Sequence, residues 1–244
     1  MFKRTTKIGQ LFYTLDKIVS LYERKISVLE KLEKAFLMNI FVKKNEAKPS
    51  IRFKDFNYKW SAKELDKVVN SFGGTSLEEY FNTTGKYKVI SIGSFNENNN
   101  YNDQNLRIDL NEKSKNFILN KDDLAMILND KTQSCNILGR VLLIPEDNKF
   151  IYNQRTQRIV LNKLFLNPLF TYFYLNSKGR EGIIKNAQGN TQVYINWSAV
   201  SNLKIIFPTL EEQKKISELL KNFSLTHAQL KRKLNLIKTY KNRS

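Results

Sequence analysis

The sequence predicts an α+β protein in which one mixed domain, residues 45–207, is flanked by two long coiled-coil-type helices, residues 1–44 and 208–244. Three observations predict it. From Lys7 to Phe41 there is no proline and only one glycine, Gly9, while apolar residues return every seven positions. The carboxy-terminal stretch repeats that layout. Between the two, the pattern changes to short apolar runs separated by turn residues, the spacing of strands.

In the first helix Ile8, Leu15, Tyr22, Leu29 and Phe36 form one row, and Leu11, Ile18 and Leu32 form a second that Lys25 interrupts. At 1.5 Å per residue the helix is about 50 Å long. The second helix starts inside FPTLEEQKKISELL, where Thr209 and Glu212 have the spacing of a capping box, each side chain bonding the other's backbone N–H. Its rows are Ile216, Phe223, Leu230 and Ile237, and Leu219, Thr226, Lys233 and Tyr240. A shift of 208 residues aligns Lys7-Ile8 with Lys215-Ile216, Leu11 with Leu219, and Arg24-Lys25 with Arg232-Lys233. Matched interruptions in matched register predict a quasi-symmetric helical pair. An isolated helix cannot bury such a stripe, so the two pack on each other or on copies from a second chain, as a spacer.

Charge narrows the function. The 244 residues hold 41 Lys and Arg against 23 Asp and Glu, a net charge of +18 that predicts a polyanionic partner. Residues 1–44 carry 10 basic and 4 acidic side chains, 45–205 carry 22 and 16, and 206–244 carry 9 and 3. Each segment nets +6, so positive charge is densest in the two helical ends. One cysteine, Cys135, excludes an intramolecular disulfide, and with one histidine, His227, it makes no conventional zinc site. The longest apolar run, AFLMNIFV at 35–42, is too short to span a bilayer, and the charged amino terminus lacks a signal peptide's apolar region. Cytoplasmic residence is the expectation.

In the middle, Tyr87 to Ile92, Leu106 to Leu110, Val141 to Ile144 and Arg158 to Leu161 read as strands. The stretch 97–105 (ENNNYNDQN) reads as an exposed loop and 168–178 as a short buried helix. The stretches PSIRFKDFNYKW, YKVISIGSF, LNKDDLAMIL, GRVLLIP, YNQRTQRI, AQGNTQVYI and IFPTLEEQKKI occur in that order, and together they resemble the target-recognition domain of specificity subunits of type I restriction-modification systems. The leading helix resembles the spacer helix of the same family. The resemblance covers essentially the whole chain, but full-length members carry two recognition domains and two spacers, whereas this chain reads as a half-length form with one.

Catalytic signatures are missing. Asn167-Pro168-Leu169-Phe170 approximates the Asn-Pro-Pro-Phe tetrad of adenine methyltransferases, but the second proline is absent and no glycine-rich fingerprint follows a strand. Asn167 as helix N-cap with Pro168 in the first turn is the better reading. His227 falls on the flank of the helical seam, and Gly73, Gly74 and Gly189 are turn glycines without a phosphate-loop pattern. The chain is therefore expected to be non-catalytic and to need no cofactor or metal.

Base reading needs Arg, Asn and Gln at groove edges, with other groups on phosphates. Three segments hold that inventory: Tyr101, Asn105 and Arg107; Gln154, Arg155 and Arg158; and Gln188, Asn190, Thr191 and Gln192. Each has a plainer reading, respectively disorder, solvated strand residues, and side chains that order their own loop. The resemblance implies double-stranded DNA as ligand, with DNA methyltransferase (modification) subunits and a restriction/translocase subunit as partners. A half-length form leaves open a homodimer, pairing with another half or a silent cassette, and the matched terminal helices favour a homodimer on an interrupted palindrome. The alternative is a standalone basic DNA-binding regulator without a methyltransferase.

Overall fold

A computed structural model describes residues 2–43 and 46–241, with side chains from residue 9 onward. It is a mixed α and β structure with long helices near both termini: α1 (Phe2–Asn39) and α5 (Leu210–Lys241). Two compact units divide it. One is α1 with the part of α5 from Glu218 onward; the other is Ile40–Ser217.

In the helical unit α1 and α5 run antiparallel within one chain. Phe36 meets Phe223 at 5.2 Å between ring centroids. Further along, Glu33 accepts from Ser224 at 3.2 Å, and Glu30 takes both His227 at 2.9 Å and Lys231 at 3.3 Å. Glu23 takes Lys238 at 2.7 Å, and Asp16 pairs with Lys241. Leu15, Tyr22, Leu29 and Phe36 on α1 and Phe223, Leu230 and Ile237 on α5 are half-buried, as the first rows require, whereas buried Ile216 belongs to the other unit. The side chain of Ile8 lies outside the described residues.

The second row on each helix sits one residue later than the sequence reading has it. On α1 it is Phe12, Val19, Ile26 and Glu33, and on α5 it is Leu220, His227, Leu234 and Lys241, all buried or half-buried. Leu11 and Leu32 are 55% and 47% exposed, and Lys25, Thr226, Lys233 and Tyr240 are exposed too. Ile18 and Leu219 are half-buried beside the seam. The physical reason is that a heptad seam alternates steps of three and four, and both choices offered apolar residues at Leu11-Phe12 and Ile18-Val19. Lys25 and Lys233 therefore interrupt nothing. Ile26 and Leu234, their neighbours, are 7% and 8% exposed.

In the second unit, four strands form an antiparallel sheet in the order β2 (Val69–Gly73), β10 (Thr156–Leu161), β6 (Leu124–Ile127), β8 (Val141–Leu143). A second sheet has the order β4 (Arg107–Ile108), β3 (Tyr87–Ile90), β9 (Phe150–Tyr152), β5 (Ile118–Leu119), with β3 and β9 parallel. Two short pairs complete the strands: β1 (Ser61–Glu64) with β12 (Lys204–Phe207), and β7 (Asn129–Asp130) with β11 (Val193–Tyr194). The helices are α2 (Pro168–Leu175), α3 (Lys178–Lys185) and α4 (Trp197–Ser201). All four residues of β6 are buried, which gives it a continuous apolar run instead of an alternating one. Ala125 and Ile127 from this strand join Ile90, Phe150 and Tyr152 from the other sheet in one core cluster.

The sequence signatures become buried joints here. Arg52 and Glu212 make two hydrogen bonds of 2.8 Å, and the Glu212 side chain is 1% exposed. The Glu212 N–H still donates to Thr209 Oγ1 at 3.4 Å, but both carboxylate oxygens are on Arg52, so only half of the expected capping box forms. Buried Gln213 accepts from the Asn167 N–H and donates to the carbonyls of Phe165 and Pro208. Asn167 Oδ1 in turn accepts from the Phe170 N–H at 3.0 Å with Pro168 in the first turn. The tetrad is thus a helix cap.

Candidate nucleic-acid interface

Leu128, one residue past β6, gathers three exposed segments. Its N–H donates to the carbonyl of Arg155 at 3.0 Å, and its carbonyl accepts from the Ile195 N–H at 2.9 Å. The first bond anchors the turn from β9 to β10; the second anchors the far end of β11, the short strand that follows the turn at 188–192. Pairing of β11 with β7 brings in the loop 131–138 that follows β7. Gln133 Nε2 on that loop donates to the Asn190 carbonyl and ties loop to turn.

The β9–β10 turn is built around Glu78. Its carboxylate accepts from Asn153 Nδ2 at 2.8 Å, Gln154 Nε2 at 2.7 Å and the Ser76 hydroxyl. Burial works against the charge, yet the hydrogen bonds from Ser76, Asn153 and Gln154 prevail and hold the carboxyl down to about 2. Buried Asn153 also accepts from the Leu77 N–H at 3.0 Å. A Cβ on Gly74 would lie 2.0 Å from the Asn153 carbonyl oxygen, so the glycine is there for close approach. Gln154 is occupied by this network. Arg155 sits next to it at φ +64°, exposed, and its guanidinium has no partner among the described residues.

The turn at 188–192 closes through paired backbone bonds between Gln188 and Tyr194 of 2.8 and 2.9 Å. Gly189 adopts φ +94°, where an added Cβ would lie 2.2 Å from the Gln192 carbonyl. Gln188, Asn190, Thr191 and Gln192 are exposed. The Thr191 and Gln192 side chains make no hydrogen bond among the described residues, so they do not order their own loop.

Of the other candidates, Arg107, Tyr101 and Arg158 are engaged inside the fold. Arg107 forms a two-pronged pair with Asp103 at 2.8 and 2.9 Å, and that hydrogen bonding keeps the Asp103 carboxyl far below the usual carboxylate range. The Tyr101 ring packs edge-on against Phe150 at 5.3 Å, and burial, with the Asp103 charge, pushes its hydroxyl up to about 12. Asn105 is an exposed turn residue at φ +56°, its N–H on Asp103. These three lie by the Phe150 end of β9, away from the Arg155 turn. Arg158, in the middle of β10, is bonded to buried Asp123 at 2.8 Å and stacked over Phe72. The Asn-rich stretch is a built loop, with Asn96 bonded to the backbone of Asn98 and Asn100.

Loop 131–136, which sequence reasoning does not single out, completes the group. Lys131, Thr132, Gln133 and Ser134 are exposed. The available signal is a polar KTQS run directly after a buried strand, with a Thr-Gln pair like that at 191–192. Among the described residues no three His, Cys, Asp or Glu come together to hold a metal, and no helix is long and apolar enough to cross a membrane.

The chain thus holds an α+β domain, with polar turns gathered beside the end of β6, between two long helices in sequence. The chain belongs to the family described as the type I restriction modification DNA specificity domain, whose model matches residues 57–239. It is 24% identical over 226 residues to the type I restriction enzyme MjaVIII specificity subunit of Methanocaldococcus jannaschii, covering 88% of this chain and 52% of that protein. The crystal structure of the HsdS subunit from Thermoanaerobacter tengcongensis matches 97% of this chain and 54% of its own, with a TM-score of 0.67 at 16% identity. The S subunit from M. genitalium matches 77% and 42%, with a TM-score of 0.52 at 21% identity. At those identities the likeness is one of fold. The chain spans about half the length of these relatives.

Proposed function

We propose that this chain reads DNA sequence for a type I restriction-modification complex, one half-site per target-recognition domain, and itself catalyses nothing. The observation that carries the reading is that the backbone of Leu128 holds both the turn with Arg155 and the end of the strand that follows the exposed turn with Gln188, Asn190, Thr191 and Gln192, in a chain of the specificity family. Arg and Asn or Gln side chains free of internal partners are the groups that pair with guanine and adenine edges. Gln154, Arg107 and Arg158 act instead as supports of the fold.

In this reading the α1–α5 pair is the spacer and the seat of the DNA methyltransferase subunits, through which the restriction/translocase subunit joins. The apolar residues outside the seam, Leu11, Leu21, Val28 and Leu32 on α1 and Leu225 and Leu236 on α5, supply exposed surface for that contact. A homodimer brings two domains onto an interrupted palindrome in the cytoplasm. The test is selection from a library of randomised duplexes with the full chain, alongside light scattering and co-purification of a methyltransferase. A selected interrupted palindrome with a mass of two chains supports the reading. Binding without sequence preference, or selection with no methyltransferase retained, overturns it in favour of a standalone DNA-binding protein.

A further inference from the structure

The loop 131–138 has an exposed polar tip on a base that charged side chains hold rigid. Asp130 accepts from the Thr132 N–H and hydroxyl, both at 3.0 Å, and from the N–H groups of Ile137 and Leu138 at 2.7 and 3.3 Å. From the other side two arginines take the carbonyls. Arg180 donates to Leu138 at 2.8 Å and to Cys135, and Arg140 donates to Asn136 at 2.6 Å. Arg140 also reaches the side chain of Asn99, and both arginines feel the negative charges of Asp130 and Glu97. Burial, with the like charge of Arg140, pushes Arg180 down to about 10, so it remains a cation at neutral pH, and burial lowers Arg140 as well. Thr132 and Ser134 hydroxyls share a 2.8 Å bond, and Gln133 fastens the tip to Asn190.

A purely structural loop has no need of so many charged contacts to fix an exposed tip, whereas a loop that must meet a ligand in one geometry gains by being preorganised. Arg180 and Arg140 share that base with the Asp130 carboxylate, so opposed charges fix the tip, and the exposed Lys131 on it supplies a positive group for a polyanion. We propose that loop 131–136 is a third base-reading segment, presenting Lys131 and Ser134 to the same stretch of duplex as Arg155 and the 188–192 turn, with Gln133 and Asp130 as positioning residues. The proposal rests on the DNA-reading assignment above.

The experiment is selection from a duplex library with a randomised central segment, run on the full chain and on Lys131→Ala, Ser134→Ala and Lys149→Ala, with folding checked by thermal melting. Lys149 is exposed at the far end of β9 and serves as control. The expected result is about a tenfold loss of discrimination at one or two adjacent positions for Lys131→Ala, a smaller loss at the same positions for Ser134→Ala, and the parent motif for Lys149→Ala. If the loop variants select the parent motif unchanged, or weaken all sequences equally, the loop reads no base and the proposal fails while DNA reading stands. If the parent chain selects no motif at all, the assignment beneath it fails as well.

Discussion

The two units use their charges in opposite ways. In the helical unit the ion pairs lie at the exposed rim: Glu23 with Lys238, Glu30 with Lys231, Asp16 with Lys241. The domain has exposed pairs too, but two of its pairs are inside: Arg52 with Glu212 and Arg158 with Asp123, each carboxylate nearly inaccessible. Rim pairs decorate a seam that apolar burial already fixes, and they contribute little individually. A buried pair is a joint, because removing one member strands the other charge away from water. The helices are therefore tolerant of charge change, and the domain is not at those two joints.

The largest effect should come from breaking a joint. Arg52→Ala should cost about 3 to 5 kcal/mol in urea unfolding of the domain transition, because it leaves Glu212 buried and unpaired. Next is the seam itself. Ile26→Ala should cost about 2 to 3 kcal/mol, and Leu32→Ala, on the exposed face, about 0.5 kcal/mol or less. Equal costs would restore the row that contains Leu11 and Leu32.

A smaller effect appears on acidification. The Glu78 carboxyl is held below its unfolded value of about 4.3, so its contribution to stability is complete above that pH and is lost as pH falls toward about 2. Denaturation midpoints should decline across that window, and Glu78→Gln should flatten the decline; an unchanged slope would remove Glu78 from the turn's support. Smallest is Glu23→Ala, about 0.2 to 0.5 kcal/mol and vanishing in high salt. A loss as large as that of Arg52→Ala would abolish the contrast between the units.

Legibility in the sequence follows the same division. A heptad is a local code, so the helices and their first rows could be read directly; the second row was ambiguous because the steps of three and four both met apolar residues. Lys25 and Lys233 held the answer, since the row without them is Phe12, Val19, Ile26 on one helix and Leu220, Leu234 on the other. In the domain, β3, β4, β8 and β10 could be read from their apolar runs. Two-residue strands such as β7 and β11 exist only through their partners, which no local pattern reveals. For the candidate site, residue type alone could not separate free side chains from engaged ones. Residue type marked Arg155 and Arg107 alike, and only the fold distinguishes the free guanidinium from the one that grips Asp103. Loop 131–136 was missed because its neighbours come from 188–195, some sixty residues away.

The antiparallel pairing of α1 with α5 has one further consequence. Every contact that closes the helical unit is made between two segments of the same chain separated by the whole domain. A second copy offers the identical segments, so α1 of one copy can exchange for α1 of another and recover the same seam residue for residue. Closed and exchanged forms then differ only in how the connecting backbone runs, and mass action decides between them. A dimer made this way needs no new surface: dilution should favour the single chain, and crowding two copies together should trade helices.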